Sequence, residues 1–408
     1  MKQILIKLKS NKKFWAIGAL PVALIVNVIC MLLPGFSEWY ARTIFLNLSK
    51  VMSNIVGVLP FSLMEVLVIA GILWAILLIV KRIIKIFLFL RKRGENKSIG
   101  ENSLRKHEGK KITVILKEKK KVILSALGKF ILNLLAAASI AYAVYVPIWG
   151  VNFYRKDLAD IIGYDVSPAT ESELAGLCGK LIEMGNEARS MVQEDERGCM
   201  MLNIGINDTI KRADAGYANL GEKIPVLKGN FGKTKKVFFS DVMSYLRILG
   251  IYFPYTFEAN INKNAQPMEI PASICHEMAH QRGFAKENEA SFIAFLVCLE
   301  HPDVDYRYSG IAEALQYSMS KLRKYNKNRY EELLSTYSEG MLRDEGIAYE
   351  YWQEYDTPIG QVAEAINDTY LKANQQEEGT RSYGMMVDLL IAWYRNAGNG
   401  QGVGQELK

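Results

Sequence analysis

Residues able to carry chemistry are scarce in this chain of 408 residues, which contains only four histidines. Its five cysteines include no C-x-x-C pair, and no spacing among them requires a disulfide. Cys178 and Cys199 would be able to pair in an oxidising compartment. The lysine clusters lack interleaved aromatic residues, so we do not expect a nucleic acid as partner. These absences direct attention to the places where the few histidines stand.

Two of the four histidines stand four residues apart in an H-E-x-x-H pattern formed by His276, Glu277 and His280. On a helix both imidazoles project from one face and can share one tetrahedral metal ion. In this pattern the Glu acts as general base on a metal-activated water. Pro271 suits the first turn of such a helix, and Gly283 suits its end. The alternative interpretation is two ordinary histidines on a helix beside solvated charges.

A third metal ligand must come from beyond the glycine, where the sequence offers Glu287 and Glu289. These two carboxylates are two positions apart and point in different directions on a helix, so at most one reaches the metal easily. Two imidazoles and one carboxylate leave one open position on zinc, as catalytic sites require. Cys275 points about 100° away from His276 on a helix and is not expected to be a ligand. Cys298 has no assigned role.

Three apolar runs, Phe14–Leu33, Phe61–Val80 and Phe130–Trp149, contain at most one charged residue each. As helices they are long enough to cross a hydrocarbon core of about 30 Å. We therefore predict a multi-pass membrane anchor over residues 1–150, followed by a second domain over residues 151–408. No apolar run of about 20 residues surrounds the histidine pair, which argues against a protease working inside the membrane.

The charges flanking these runs predict an orientation in the cell membrane. Residues 1–13 carry five lysines and no acid, and residues 81–121 have a net charge of +11. By the positive-inside rule both segments are cytoplasmic, so the second domain lies outside. Removing these segments from the formal net charge of +7 leaves −9 for the remainder. The basic loop 81–121 is interpreted as a mostly disordered linker, or as a grip on anionic lipid headgroups.

The second domain is expected to be predominantly helical with a few short strands. A helix is predicted over Glu171–Gln193, and short strands over Val237–Phe239 and Ile251–Phe253. We hypothesise that residues 251–261 form an edge that binds an extended peptide, with Thr256 and Glu258 contributing. A buried aromatic segment covering the core is the alternative.

A glycine-bounded turn near the carboxyl end carries two further candidates, Arg381 and Tyr383. A polar side chain there would be able to stabilise the oxyanion of a tetrahedral intermediate. An ordinary turn before a helix is the alternative interpretation.

Several of these segments together resemble a known family. They are Gly250–Pro254, Glu258–Asn260, the H-E-x-x-H-Q-x-G-F-A-x-E run continuing to Ala290, and Arg381–Gly384. The chain resembles an uncharacterised bacterial membrane family, domain of unknown function 3810, whose members look like zincin metallopeptidases with an amino-terminal anchor.

The helix after the histidines is also similar to the E-x-x-A-D helix of gluzincins, in which the first Glu binds zinc. This resemblance implies that Glu287 is the third ligand. Ser291 stands where those proteins have Asp, which weakens the support expected behind a ligand. Glu289 remains a rival.

The overall expectation is a mainly α, α+β protein with three transmembrane helices and an extracytoplasmic zincin-like domain. Zinc would be held by His276, His280 and Glu287, and Glu277 would act as general base in hydrolysis of envelope peptides or proteins. The alternatives are a scaffold or assembly protein of the cell envelope without enzymatic activity, and a zinc hydrolase of a non-peptide envelope component. The oligomeric state is not predicted.

Overall fold

The computed structural model describes residues 12–98 and 108–398 and is mainly helical with few short strands. The first half contains the helices α1 (Lys12–Leu32), α2 (Pro34–Tyr40), a π-helical segment (Ala41–Phe45), α3 (Leu46–Gly57), α4 (Leu63–Ser98), α5 (Glu108–Ile148), a 3-10 turn (Gly150–Tyr154), α6 (Leu158–Ile162) and α7 (Glu171–Arg189).

The second half adds short strands and the remaining helices. In chain order these are β1 (Gln193–Glu194), β2 (Met200–Met201), α8 (Gly205–Arg212), α9 (Asp214–Lys223), a 3-10 turn (Pro225–Leu227), β3 (Lys235–Lys236), α10 (Ser240–Tyr245), β4 (Gly250–Phe253), β5 (Glu258–Ile261), α11 (Ile270–Gln281), α12 (Glu287–Leu299), α13 (Val304–Tyr325), α14 (Lys327–Leu334), α15 (Glu339–Glu354), α16 (Pro358–Ala373), a 3-10 segment (Gly379–Met385) and α17 (Met386–Gly398).

Three helices are long and apolar enough to cross a membrane, as the sequence predicts. Their apolar segments are Trp15–Leu32, Leu63–Lys85 and Leu127–Ile148, with mean hydropathy of 2.3, 2.8 and 1.9. Most side chains in these segments are exposed on the protein surface, which suits contact with lipid tails. The direction in which they cross stays a prediction.

The basic segment 81–121 differs from the predicted disordered linker. Residues 81–98 continue α4 as helix, and residues 108–121 form the first part of α5. Residues 99–107 lie outside the described residues. The interpretation as a linker was wrong for the helical parts, because apolar residues recur between the lysines and continue the helical pattern of the spans.

The chain divides into two compact units. Among the described residues, one unit comprises residues 12–28, 65–98 and 108–146, and the other comprises residues 29–64 and 147–398. The segment 29–64 is therefore packed with the second unit, although the sequence suggested no partner for it. Within that unit the Arg155 guanidinium binds the Glu38 carboxylate at 3.1 Å, and the Ser49 hydroxyl donates to the Gln281 carbonyl at 2.7 Å.

The core of the second unit is built around α12, which is apolar on nearly every face. Phe292, Phe295 and Val297 are fully buried, because α12 packs against α11, α13, α9 and α17 at once. The acidic residues of α12 are confined to its first turn, where they face the amino end of the helix dipole. This arrangement places a carboxylate-bearing helix start beside α11.

A three-stranded sheet borders α11 in the order β3-β5-β4. β3 runs parallel to β5, and β4 runs antiparallel to it with Ile251 opposite Asn260. β4 is confirmed where Ile251–Phe253 was predicted. The strand predicted over Val237–Phe239 was wrong: β3 ends at Lys236, and the chain turns into α10 with Phe238 and Phe239 exposed. Side chains open to solvent do not have the cross-strand packing that favours a strand.

Candidate metal centre

Helix α11 carries the two motif histidines on one buried face. Pro271 stands at its start, and Gly283 follows its end with φ +81°, a left-handed conformation that ends a helix at low cost in glycine. The imidazole rings of His276 and His280 lie 4.8 Å apart between centroids and are nearly perpendicular. Both side chains are buried, so any ligand they share is shielded from bulk water.

Glu287 completes a three-residue group at the start of α12. Its Oε2 lies 3.0 Å from His276 Nε2 and 3.5 Å from His280 Nε2. The three potential ligand atoms lie within 4.8 Å of one another and could hold a metal ion. The Glu287 backbone N–H donates to the Gln376 side-chain oxygen at 3.0 Å, which anchors the beginning of the helix. The short turn after Gly283 therefore brings this carboxylate back to the histidines.

The outer nitrogen of each imidazole is held by a neighbouring group. His280 Nδ1 lies 2.6 Å from the Phe284 carbonyl oxygen, and His276 Nδ1 lies 3.1 Å from the Ser291 hydroxyl. A carbonyl oxygen can only accept, so Nδ1 of His280 carries a proton, and a neutral His280 would present the lone pair of Nε2 to a metal ion. His276 Nδ1 can donate to Ser291 when Nε2 binds a metal, or accept from the Ser291 hydroxyl when Nε2–H donates to Glu287. Metal-binding histidines characteristically have such a partner behind the ring.

The electrostatics of the group favour a cation. Burial by itself would raise the pKa of Glu287, but the charge of His280 and hydrogen bonds from both histidines hold it well below its usual range. Burial would lower the pKa of His280, but ionised Glu287 outweighs burial and raises that pKa to about 9. For His276 burial dominates and lowers the pKa. The buried carboxylate is thus balanced by positive charge that a metal ion would also supply.

The donor set fits a divalent metal of the zinc type. Two neutral imidazoles and one carboxylate are the three protein ligands of one class of catalytic zinc site. A site built for Ca²⁺ or Mg²⁺ would be made of oxygen ligands instead. The donors establish a possible metal site and leave the choice among the nitrogen-preferring metals open.

The Glu277 side chain extends from α11 towards Gly250 in strand β4, and the residue is 5% exposed. Its Oε2 has no hydrogen-bond partner among the described residues. Burial raises its pKa to about 8, against the lowering effects of His280 and of a hydrogen bond from the Tyr252 backbone. At Gly250 an added Cβ would stand 2.5 Å from Glu277 Oε1, so only glycine leaves room for this carboxylate. The absence of a side chain at Gly250 therefore allows the Glu277 carboxylate to pack directly against strand β4.

Glu289, the rival third ligand, is directed away from the histidines. Its Oε1 accepts a hydrogen bond from the Leu158 backbone N–H at 2.8 Å, and Lys286 Nζ lies 3.9 Å away. Residues two positions apart on a helix point in different directions, as the sequence argument required. The structure brings Glu287 to the histidines and uses Glu289 at the start of α6.

The two candidates near the carboxyl end, Arg381 and Tyr383, occupy different environments in the structure. The Tyr383 ring stacks on the His276 imidazole, with 6.3 Å between centroids and 22° between planes. Burial, together with the charges of Glu287 and Glu277, raises the pKa of Tyr383 well above its ordinary value, so its hydroxyl stays protonated. Arg381 is exposed. Tyr383 alone lies beside the metal centre.

The proposed peptide contacts of Thr256 and Glu258 were wrong. β5 is the middle strand of its sheet, and both side chains are buried. The Glu258 carboxylate accepts from the backbone N–H groups of Leu63 and Met64 at 2.9 and 2.8 Å, while Thr256 donates to Glu258 at 2.7 Å. These residues hold the beginning of α4, because the unpaired N–H groups of a helix start need acceptors. β3 and β4 are the edge strands of this sheet.

Three neighbours of the centre were missed by sequence reasoning. Gln376 anchors Glu287, Gly250 makes room for Glu277, and the Trp149 indole lies edge-on to His280 with 5.5 Å between ring centroids. Trp149 was predicted as the last residue of the third span. None of these residues has a distinctive spacing from the motif, so no local signal assigns them to it.

The cysteines play no part in the centre. All five are free and buried, including Cys178 and Cys199. Cys275 is buried in the apolar core, and its backbone carbonyl accepts from the Tyr217 hydroxyl at 2.7 Å.

Comparisons with known proteins place the chain in one family and supply no activity. No curated protein and no solved structure shows a significant match. The family model DUF3810, described as "Protein of unknown function (DUF3810)", matches residues 40–391. That range contains the histidine pair, both candidate carboxylates and Tyr383. Because the match covers most of the sequence, the chain belongs to the DUF3810 family.

Proposed function

We propose that this protein is a membrane-anchored, zinc-dependent hydrolase that cleaves peptide bonds. The proposal rests on one observation: the Nε2 atoms of His276 and His280 converge on Glu287 while Glu277 lies buried beside the same histidines. Metal-assisted hydrolysis requires three protein ligands that leave one position open on the metal, with a carboxylate nearby that can accept a proton.

His276, His280 and Glu287 would hold the metal, which when bound polarises a carbonyl group and lowers the pKa of water. Glu277 then serves as the proton carrier: it accepts the proton of the attacking water and passes it to the leaving amine. A carboxyl whose pKa lies near neutrality suits both halves of this transfer. Its Oε2 is available for the role because no described residue binds it.

The edge strand β4 supports an extended peptide as substrate. The Asn262 N–H donates to the Leu249 carbonyl at 2.8 Å, so alternate residues from Leu249 onward pair with β5. The backbone groups of Gly250 and Tyr252 consequently face away from β5, towards Glu277. An extended chain bound there would form main-chain hydrogen bonds and present its carbonyl to the centre.

Tyr383 supports the proposal because its ring stacks on the His276 imidazole. A protonated phenol next to a metal ligand is able to donate a hydrogen bond to oxygen charge that develops during attack on a carbonyl. The Trp149 and Tyr252 rings, 4.7 Å apart between centroids, form an aromatic wall beside His280. This wall favours a partly apolar substrate.

The location of the proposed activity follows from the charge pattern. With residues 1–13 and 81–121 cytoplasmic, the metal centre works outside the cytoplasmic membrane. Its substrates would then be peptides or proteins of the cell envelope.

The metal assignment is tested on the purified full-length protein in detergent micelles. Elemental analysis of wild type should find one zinc per chain, Glu287→Gln should lose it, and the matched control Glu289→Gln should keep it. Equal metal content in Glu287→Gln and wild type would remove Glu287 from the site. A folded wild type that takes up no metal would favour the scaffold alternative.

The catalytic assignment is tested with a library of fluorogenic peptides. Glu277→Gln should retain the metal and lower turnover by about 100- to 10,000-fold, the range expected for loss of a general acid–base group. Undiminished hydrolysis by this variant would exclude the proposed mechanism. If wild type binds metal but cleaves no peptide, a non-peptide envelope substrate takes precedence.

A further inference from the structure

An exposed apolar surface lies at the point where the second candidate span begins. We call it the boundary surface and define it by Val58, Phe61, Phe238, Phe239 and Val242. Val58 is 84% exposed and Phe238 is 71% exposed, and the other three are between 46% and 54% exposed. Exposing such side chains to water is unfavourable, so a contiguous group of them marks a surface that binds another apolar surface.

One part of this surface, Val58 and Phe61, directly precedes the candidate span in the chain. Val58 and Phe61 stand in the turn that precedes Leu63, where both α4 and its apolar segment begin. The turn is fixed in place: Ser62 donates to the Asn260 side chain at 2.7 Å, and the Glu258 carboxylate caps the first N–H groups of α4. The turn therefore lies within a few residues of the hydrocarbon boundary.

The other part of the surface, Phe238, Phe239 and Val242, is held beside the beginning of α4 by packing. Val237 and Met243 form a small buried cluster with Met64, the second residue of α4. Phe238, Phe239 and Val242 lie between these two residues in sequence and face outward. Lys235 Nζ also donates to the carbonyls of Gly57 and Leu59. Strand β3 and the turn before the span are thus held side by side.

Two exposed lysines, Lys233 and Lys263, and one exposed acid, Asp241, border the boundary surface, and Asp241 accepts from the Asn264 side chain at 2.7 Å. Lys263 Nζ donates to the Phe238 carbonyl at 3.1 Å and lies 5.0 Å from the centre of its ring. Lys233 is exposed close by in sequence. Aromatic and branched side chains bordered by lysines are characteristic of the membrane interface, where apolar groups enter the acyl boundary and ammonium groups meet lipid phosphates.

We infer that the boundary surface is a second membrane contact, which inserts into the headgroup and upper acyl region of the bilayer where α4 enters it. The partner is a phospholipid surface, selected by continuity with the candidate span and by the lysine border. The contact would hold the sheet that borders the metal centre against the membrane surface. This inference does not depend on hydrolytic activity or on a bound metal.

The inference is tested by site-directed spin labelling of the full-length protein in phospholipid nanodiscs. The five native cysteines are buried, so cysteines introduced by Phe238→Cys and Val242→Cys will be labelled preferentially. Tyr325→Cys, at a residue 71% exposed at the end of α13, is the matched control. The measured quantities are collision rates of each label with oxygen, which concentrates in lipid, and with a water-soluble nickel chelate.

Membrane contact predicts at least a several-fold higher oxygen-to-nickel collision ratio at positions 238 and 242 than at position 325. High nickel collision rates at all three positions would place the surface in water and overturn the inference. Low rates with both reagents at 238 and 242 would indicate burial against protein, such as a second copy of the chain, and would also overturn it.

Discussion

Two buried polar clusters in the second unit invite comparison, because both combine charged groups with nearly complete burial. In the first, the Arg189 Nε binds the Asp344 carboxylate at 2.5 Å, and the Tyr308 hydroxyl donates to the same carboxylate at 2.8 Å. Asp344 also accepts from the Met200 N–H, and Arg189 reaches Glu194 at 2.9 Å. Charge and hydrogen bonds are satisfied within the protein, so we call it the closed cluster.

The second cluster is the candidate metal centre, whose polar groups are not all paired within the protein. Its imidazoles bond outward through Nδ1 and present both Nε2 atoms to one carboxylate oxygen. Glu277 adds a carboxylate oxygen without a partner among the described residues. Buried polar groups are expensive unless paired, and this group leaves ligand-capable side chains around one point that could hold a metal ion. The comparison contrasts a cluster whose polar groups pair with one another and a cluster whose polar groups could bind a metal ion.

The largest effect is expected in the closed cluster. Asp344→Ala leaves the Arg189 guanidinium buried without its main partner, which should cost about 3–5 kcal/mol of unfolding free energy. Denaturant titration of the full-length protein in micelles measures this loss. The control Glu194→Ala removes a half-exposed partner of the same arginine and should cost less than about 1 kcal/mol. Similar losses in the two variants would contradict the description of the closed cluster.

A smaller effect, on metal affinity, is expected from Ser291, which contacts the candidate ligand His276 on the side away from the centre. Ser291→Ala removes the hydroxyl that holds His276 Nδ1, so the imidazole loses its fixed orientation. Metal affinity should fall about 10- to 100-fold, as for other groups placed behind a ligand. Competition with a chromophoric chelator measures the affinity. Ser318→Ala, at another fully buried serine whose Oγ has no partner among the described residues, should leave affinity unchanged.

The smallest effect concerns the metal-free protein as pH rises. The pKa of His280 is raised from 6.5 to about 9 in the folded state, so its proton stabilises the fold fully below pH 6.5 and is lost towards pH 9. The melting temperature in excess chelator should therefore fall by about a few degrees over this range. His280→Gln should reduce the slope. A melting temperature that is independent of pH would show that Glu287 does not hold a proton on the histidine.

Local patterns in the sequence were reliable guides to the fold. The three apolar runs predicted three span-length helices, because length and apolarity decide that property locally. The four-residue spacing of His276 and His280 placed both rings on one helix face, as found. The turn at Gly283 followed from the conformational freedom of glycine.

The errors came from residues whose roles depend on distant partners. Phe238 and Phe239 have high strand propensity, but β3 ends before them and leaves them on the surface. Thr256 and Glu258 resembled substrate contacts, although they bind the beginning of α4. The partner of Glu258 is separated from it by 195 residues, a distance that no local pattern spans.

The sequence by itself determined the local units of this protein: the apolar helices, the helix that carries the histidine pair, and the turn that ends it. It also limited the candidates for a third ligand to two carboxylates. Only the tertiary structure shows which of them lies at the histidines, because Glu287 contacts His276 and Glu289 contacts the Leu158 backbone. The physical reason is that periodicity and backbone preference act over a few residues. The direction of a buried side chain depends instead on which elements pack around it, as Gly250, Trp149 and Gln376 illustrate.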